Sequence, residues 1–295
     1  MDGIFDFAKT WELISELDSV RIALIAAAVL GLLAGVLGPL IVMRRMSFAV
    51  HGTSELAFTG AAGALLLGVG VEYGALAGAV AAALLLGILG IRDADRDSVI
   101  GVILSFGLGM GVLLLSFYKG RSANKFGILT GQIITVDSTN LTALVIAAAA
   151  VLAVLSLIYR PLLFASVDRA VAEARGVPVK TLTVLFSLLV GVATALSVQV
   201  VGSLLVVALM VTPAAAAARV TASPLRATVL SVVFAEVAAL GGIVLSLAPG
   251  LPVSAFVTSI SFLIYLVCRI IAWVRDRRRG VRTSPVEEPA PVPVG

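Results

Sequence analysis

The chain has 295 residues, of which 60% are hydrophobic and only 13% charged, and its mean hydropathy is +1.13. A soluble domain carries about 25% charge, so this chain lacks the polar surface to cover a water-soluble fold and reads as an all-α integral membrane protein. A net charge of +4 does not mark a nucleic-acid partner, because six of the 21 Lys and Arg fall between Arg269 and Arg282, beside the last apolar run, where they read as a juxtamembrane anchor to lipid. A single cysteine, Cys268, excludes a disulfide framework, and a single histidine, His51, leaves little for a multi-histidine metal site or a catalytic triad.

In chain order, residues 1–20 are mixed and acidic and lack the basic start of a signal peptide, which predicts an external amino-terminal arm. A helix needs about 20 apolar residues to cross the hydrocarbon core. Nine stretches meet that length: about 21–42, 49–69, 72–91, 98–117, 141–160, 181–200, 202–221, 226–247 and 254–274. The second, interrupted by His51 and Glu55, and the seventh, entered through Val201-Gly202 and carrying Pro213, are the candidates for a broken helix. Residues 276–295, with Pro285, Pro289, Pro291 and Pro293, predict a disordered tail. The transmembrane domain is expected over 21–275.

Charge orients these spans. Basic residues follow the odd-numbered stretches: Arg44 and Arg45, Arg92 and Arg96, the Arg160–Lys180 connection, Arg219 and Arg226, then the terminal cluster. The other side holds Lys9, Arg21, Lys119, Arg121 and Lys125. The positive-inside rule then sets the amino terminus outside and the carboxyl terminus in the cytoplasm. The Ala- and Gly-rich spans, with Gly74 and Gly78 as examples, predict close helix packing in lipid.

Ionisable groups at mid-span cost about 2.5–3.5 kcal/mol or more, so they mark function by default. His51, Glu55 and Glu236 qualify. His51 and Glu55 are spaced i, i+4 and share one helix face. Glu55 lies ten residues after Arg45 and Glu236 ten after Arg226. At 1.5 Å per residue, both carboxylates sit about 15 Å in, near the bilayer midplane. Matched depth predicts that the three converge on one cation site. Carboxylate with imidazole suits divalent zinc, manganese or iron, and the same residue types serve a proton relay. Gln199 is expected to make an interhelical hydrogen bond, and Asp97 and Ser98 to begin a helix.

Residues 161–180 form the longest cytoplasmic connection, and its centre, about 166–176, is expected to be a short helix capped by Asp168 and stopped by Gly176 and Pro178. Such a helix either docks into a groove on another protein or lies on the bilayer. Gly176-Val177-Pro178-Val179-Lys180-Thr181 lacks the glycine that a phosphate loop needs before its lysine, so any ATPase belongs to a separate chain.

Five patterns, in order, carry a family resemblance: Gly38 to Phe48, Asp97 to Gly101, Phe126 to Val136, Asp168 to Val177, and Gln199 to Leu209 followed by Pro213-Ala214-Ala215. Over about residues 21–275 the chain resembles the permease subunit of bacterial ATP-binding-cassette importers for zinc, manganese and iron(II). The resemblance implies a type II importer bundle in the bacterial plasma membrane that is not itself an enzyme and holds no cofactor. It implies two permease subunits, here expected as a homodimer, and a cytoplasmic ATPase dimer that uses ATP and magnesium. It also implies an extracytoplasmic metal-binding protein. Zinc is expected first as cargo, then manganese or iron. His51, Glu55 and Glu236 would bind the metal, and family members usually carry Asp and His where this chain has His51 and Glu55. Asp168, Arg169, Ala170, Ala172, Glu173, Ala174 and Gly176 would form the coupling helix that meets the ATPase. The alternative is a proton-coupled secondary transporter of a metal or other small solute, which needs no ATPase.

Overall fold

A computed structural model describes residues 17–89, 96–120, 138–203, 206–247 and 252–278. Among them all regular structure is helical: α1 (Asp18–Met43), α2 (Ser47–Leu67), α3 (Val71–Leu89), α4 (Arg96–Phe117), α5 (Ser138–Val167), α6 (Arg169–Ala174), α7 (Val179–Val201), α8 (Val206–Met210), α9 (Thr212–Val220), α10 (Pro224–Leu247) and α11 (Val253–Arg278). Most of the external arm, the Phe126–Val136 pattern, Arg92, the Asp97 side chain and the tail beyond Arg278 lie outside the described residues.

Each expected stretch overlaps a helix, but the count of nine spans is not reproduced. Among the described residues, six helices are long and apolar enough to cross a membrane: α1, α4, α5, α7, α10 and α11. The apolar part of α3 covers only Val71–Gly87, and α8 with α9 covers only Val206–Val220. The seventh stretch is indeed broken. Gly202 has a φ of 89°, and the helix is interrupted again at Val211, just before Pro213, which has no N–H to give to the preceding turn. α2 has the length, but Thr53, Ser54 and Thr59 add to His51 and Glu55 in diluting its apolar character. It tolerates them because α3, α4 and α7 surround it, so its polar atoms face protein more than lipid.

Helix α5 also departs from expectation. It runs through Pro161 to Val167, so the connection expected from residue 161 begins as membrane helix. Proline removes one backbone bond there, while burial of Leu162 and Ala165 beyond it favours continuing the helix.

Small residues set the packing. On α1, Gly31, Gly35 and Gly38 form one stripe: α10 presses on it at Val232 and Glu236, and Ala214 of α9 lies over Gly38. A Cβ on Gly38 would come within 2.7 Å of the Ala214 Cβ. On α3, Gly74 and Gly78 meet the carbonyls of Gly60 and Leu56 on α2 so closely that no side chain fits. With no hydrophobic effect between helices in lipid, such contacts rest on van der Waals approach. α1 is the most enclosed of the six spans, whereas α11, α5 and α4 leave most of their apolar surface outward.

Candidate metal site

Four residues of helix make a little over one turn, so His51 and Glu55 stand one above the other on α2. The His51 Nδ1 lies 4.0 Å from the Glu55 Oε1. The Glu55 side chain is 3% exposed and that of His51 37%, so the carboxylate is buried and the imidazole half-buried. The His51 Nδ1 and the Glu55 Oε2 are both buried and have no hydrogen-bond partner among the described residues. Buried polar atoms are normally paired, because an unpaired one forfeits its hydration. An imidazole nitrogen and a carboxylate oxygen, each left without such a partner, are groups that can bind a divalent cation.

Neighbouring groups seat α2 against α4 at Glu55. The Thr59 hydroxyl bridges α2 and α4, lying within hydrogen-bond reach of both the Glu55 carbonyl and the Gly107 carbonyl. Gly107 lets α4 lie against Glu55, since a Cβ there would stand 3.2 Å from the Glu55 Cβ and 3.1 Å from its carbonyl carbon. Four residues on, Gly111 receives the buried Phe58 ring in the same way. Neither Gly107 nor Thr59 is singled out by the sequence reading. The available signal was the four-residue spacing of Gly107 and Gly111 on a membrane helix.

Glu236 lies elsewhere in the bundle. It is half-buried on α10, with its carboxylate in the space above Gly31 and against the α1 backbone at Leu32. A Cβ on Gly31 would stand 3.0 Å from its Oε1. Among the described residues no three His, Cys, Asp or Glu side chains gather, so Glu236 does not complete a three-ligand site with His51 and Glu55 within one chain. Counting residues from an arginine fixes height in the membrane but not direction around the bundle. α10 packs on α1 and α11, whereas α2 packs on α3, α4 and α7. Gln199 donates to the Glu72 carbonyl at 3.4 Å, an interhelical bond as expected, and Cys268 is buried as a packing residue.

The connection between α5 and α7 is built as a short docked helix. Asp168 caps α6 by accepting the Val171 N–H at 3.0 Å. At the other end Gly176, with φ 79°, lets its own N–H reach the Glu173 carbonyl and the Val177 N–H reach the Ala172 carbonyl, both at 3.0 Å. That paired arrangement closes a helix with a left-handed residue, a conformation glycine adopts without penalty. Ala172 is fully buried against Ala165 and Val179, so it seats α6 on its own chain. Asp168, Arg169, Ala170, Glu173, Ala174 and Gly176 remain exposed, and Arg169 Nε pairs with Glu173 Oε1 at 3.1 Å on the outer face.

Residues 16–272 match the family model described as the ABC 3 transport family. The chain belongs to the ABC 3 transport family. Among similar proteins, the manganese transport system membrane protein MntC of Listeria monocytogenes serovar 1/2a is 32% identical over 249 residues, covering 83% of this chain and 89% of MntC. The manganese import system permease protein ScaB of Streptococcus parasanguinis is 31% identical over 263 residues, covering 89% and 94%. A solved structure of PsaBC from Streptococcus pneumoniae in complex with Fab superposes with a TM-score of 0.80 at 27% identity, covering 91% of this chain and 99% of that one. This ABC 3 transport family member is therefore a multi-pass transmembrane transport protein of ABC-permease fold.

Proposed function

We propose that this chain is the permease subunit of an ATP-driven importer of a divalent transition metal in the plasma membrane, with manganese as the leading cargo. The observation that carries the reading is the pair of buried atoms without a hydrogen-bond partner among the described residues, His51 Nδ1 and Glu55 Oε2, one turn apart on a helix enclosed by three others. The names of MntC and ScaB support manganese over zinc, which the sequence reading ranks first. Imidazole with carboxylate accepts any of manganese, iron and zinc.

Among the described residues one chain offers two ligands at this point, fewer than a dehydrated divalent cation takes. A second copy related by a two-fold axis would bring the same pair, so a homodimer is the assembly proposed, with Glu236 serving the pathway from α10. An extracytoplasmic metal-binding protein delivers the ion, and an ATPase dimer, using ATP and magnesium, meets the exposed face of α6. Its strokes rock the bundle between outward and inward openings. The site binds weakly enough to release its ion, as conduction requires. The amino terminus lies outside. Family membership weighs against the proton-coupled secondary transporter, which reconstitution of this chain alone would detect.

The test is metal accumulation in cells depleted of this chain, profiled for manganese, zinc, iron and cobalt under scarcity, with redundant importers also deleted. Selective loss of manganese supports the proposal. Unchanged uptake of all four rejects metal import.

A further inference from the structure

Arg44 ends α1 seven residues before His51, at the point where the chain turns into α2. Its Nη2 donates to the Thr183 hydroxyl at 2.7 Å and its Nη1 to the Ser166 hydroxyl at 3.1 Å, while its guanidinium lies 5.5 Å from the centroid of the buried Phe186 ring. Both hydroxyls spend their own protons on the preceding turn, Ser166 to the Leu162 carbonyl at 2.6 Å and Thr183 to the Val179 carbonyl at 2.9 Å. Their lone pairs are thereby turned toward the arginine.

These contacts join the two flanks of the docked helix. Ser166 lies two residues before the Asp168 cap, and Thr183 sits in the second turn of α7. Ala172 of α6 packs on Ala165 and Val179, the neighbour of the first anchor and the residue whose carbonyl holds the second. On the other side, Arg44 reaches α2 through a link without slack. The Met46 N–H bonds the Ile41 carbonyl at 2.8 Å, the Arg45 N–H bonds the Val42 carbonyl at 3.1 Å, and Met46 is buried. A membrane-boundary charge alone would need none of this, and Arg45 already supplies one next door.

Resting on the function proposed above, we propose that Arg44 is a positioning residue for transport. Its guanidinium fork fastens the α6 segment to the helix that carries His51 and Glu55, so a displacement of α6 by the ATPase reaches the metal pair. Lysine keeps the charge but not the planar fork that spans two hydroxyls and lies over a ring.

The experiment uses the permease purified with its ATP-hydrolysing partner and reconstituted in vesicles, and reads manganese transported per ATP hydrolysed. Arg44→Lys, Arg44→Met and the Ser166→Ala, Thr183→Val pair are each expected to lower that ratio by about fivefold or more, the usual scale of coupling between distant sites. Hydrolysis is expected to stay within about twofold, since α6 itself is untouched. Combining Arg44→Lys with the hydroxyl pair is expected to lower the ratio no further, because both remove one shared link. A wild-type ratio in Arg44→Lys and in the hydroxyl pair overturns the proposal. So does a multiplicative loss in the combination, or parallel loss of hydrolysis and transport in every variant.

A second readout does not depend on cargo. With Cys268 replaced by serine, spin labels at Val171→Cys on α6 and Phe48→Cys on α2 are expected to keep one separation with and without nucleotide, and to lose that constancy in Arg44→Lys. The same nucleotide response in both proteins overturns the proposal. If the wild-type complex moves no divalent metal, the functional reading falls, and the label distances still decide the role of Arg44.

Discussion

Replacing Glu55 with glutamine separates what this residue does for stability from what it does for metal. Its side chain is 3% exposed, one carboxyl oxygen stands 4.0 Å from the histidine, and the other has no hydrogen-bond partner among the described residues. A buried polar atom left unsatisfied costs about 1–3 kcal/mol, more when it can bear charge. Glutamine keeps the shape and a polar group but removes the charge, so the metal-free Glu55→Gln protein should unfold higher than the parent, by up to about 12 °C at about 2–4 °C per kcal/mol for a chain of this order. Manganese should favour the parent instead. At a concentration about a hundredfold above its dissociation constant, a ligand that binds only the folded state adds about 2.7 kcal/mol. The parent should thus gain about 5–10 °C on adding manganese, while Glu55→Gln gains little. Thermal unfolding of the purified permease, followed with and without manganese, gives both numbers. A variant that is less stable when metal-free yet gains as much from manganese as the parent would refute the reasoning, because Glu55 would then be a structural partner and not a ligand.

Other outcomes follow from local geometry. Asp168→Ala removes the cap from α6 and should cost about 1 kcal/mol locally, read as roughly fivefold faster amide exchange over residues 169–175 than in the parent. Arg169→Ala, in an exposed i, i+4 pair, should change thermal stability by no more than about 0.5 kcal/mol. Arg45 has a φ of 54°, where a side chain costs about 1–2 kcal/mol, so Arg45→Gly should raise the unfolding temperature. A Cβ on Gly35 meets the Val232 backbone, whereas one on Gly31 meets only the movable end of Glu236. Gly35→Ala should therefore cost about 1–3 kcal/mol by thermal unfolding, and Gly31→Ala clearly less.

Much of this organisation is readable from residue spacing. Apolar runs and basic boundaries locate the helices, Asp168 and Gly176 announce the ends of α6, and four-residue spacing pairs His51 with Glu55. What spacing leaves open is the direction in which a helix faces. Glu236 shares the expected depth of Glu55, yet its carboxylate fills the hollow over Gly31 on another pair of helices. Pro161 looks like a terminator and is carried inside α5, because burial of Leu162 and Ala165 outweighs one lost backbone bond. The bonds of Arg44 to Ser166 and Thr183 cross separations of 122 and 139 residues, which no local pattern encodes.

The central claim, that His51 and Glu55 bind the transported ion, is tested most directly by ATP-dependent manganese uptake into vesicles holding the complete complex, compared with His51→Ala and Glu55→Gln. The account predicts uptake that requires ATP in the parent and is lost in both variants, while each still assembles with the ATPase. Undiminished uptake in both variants would contradict it.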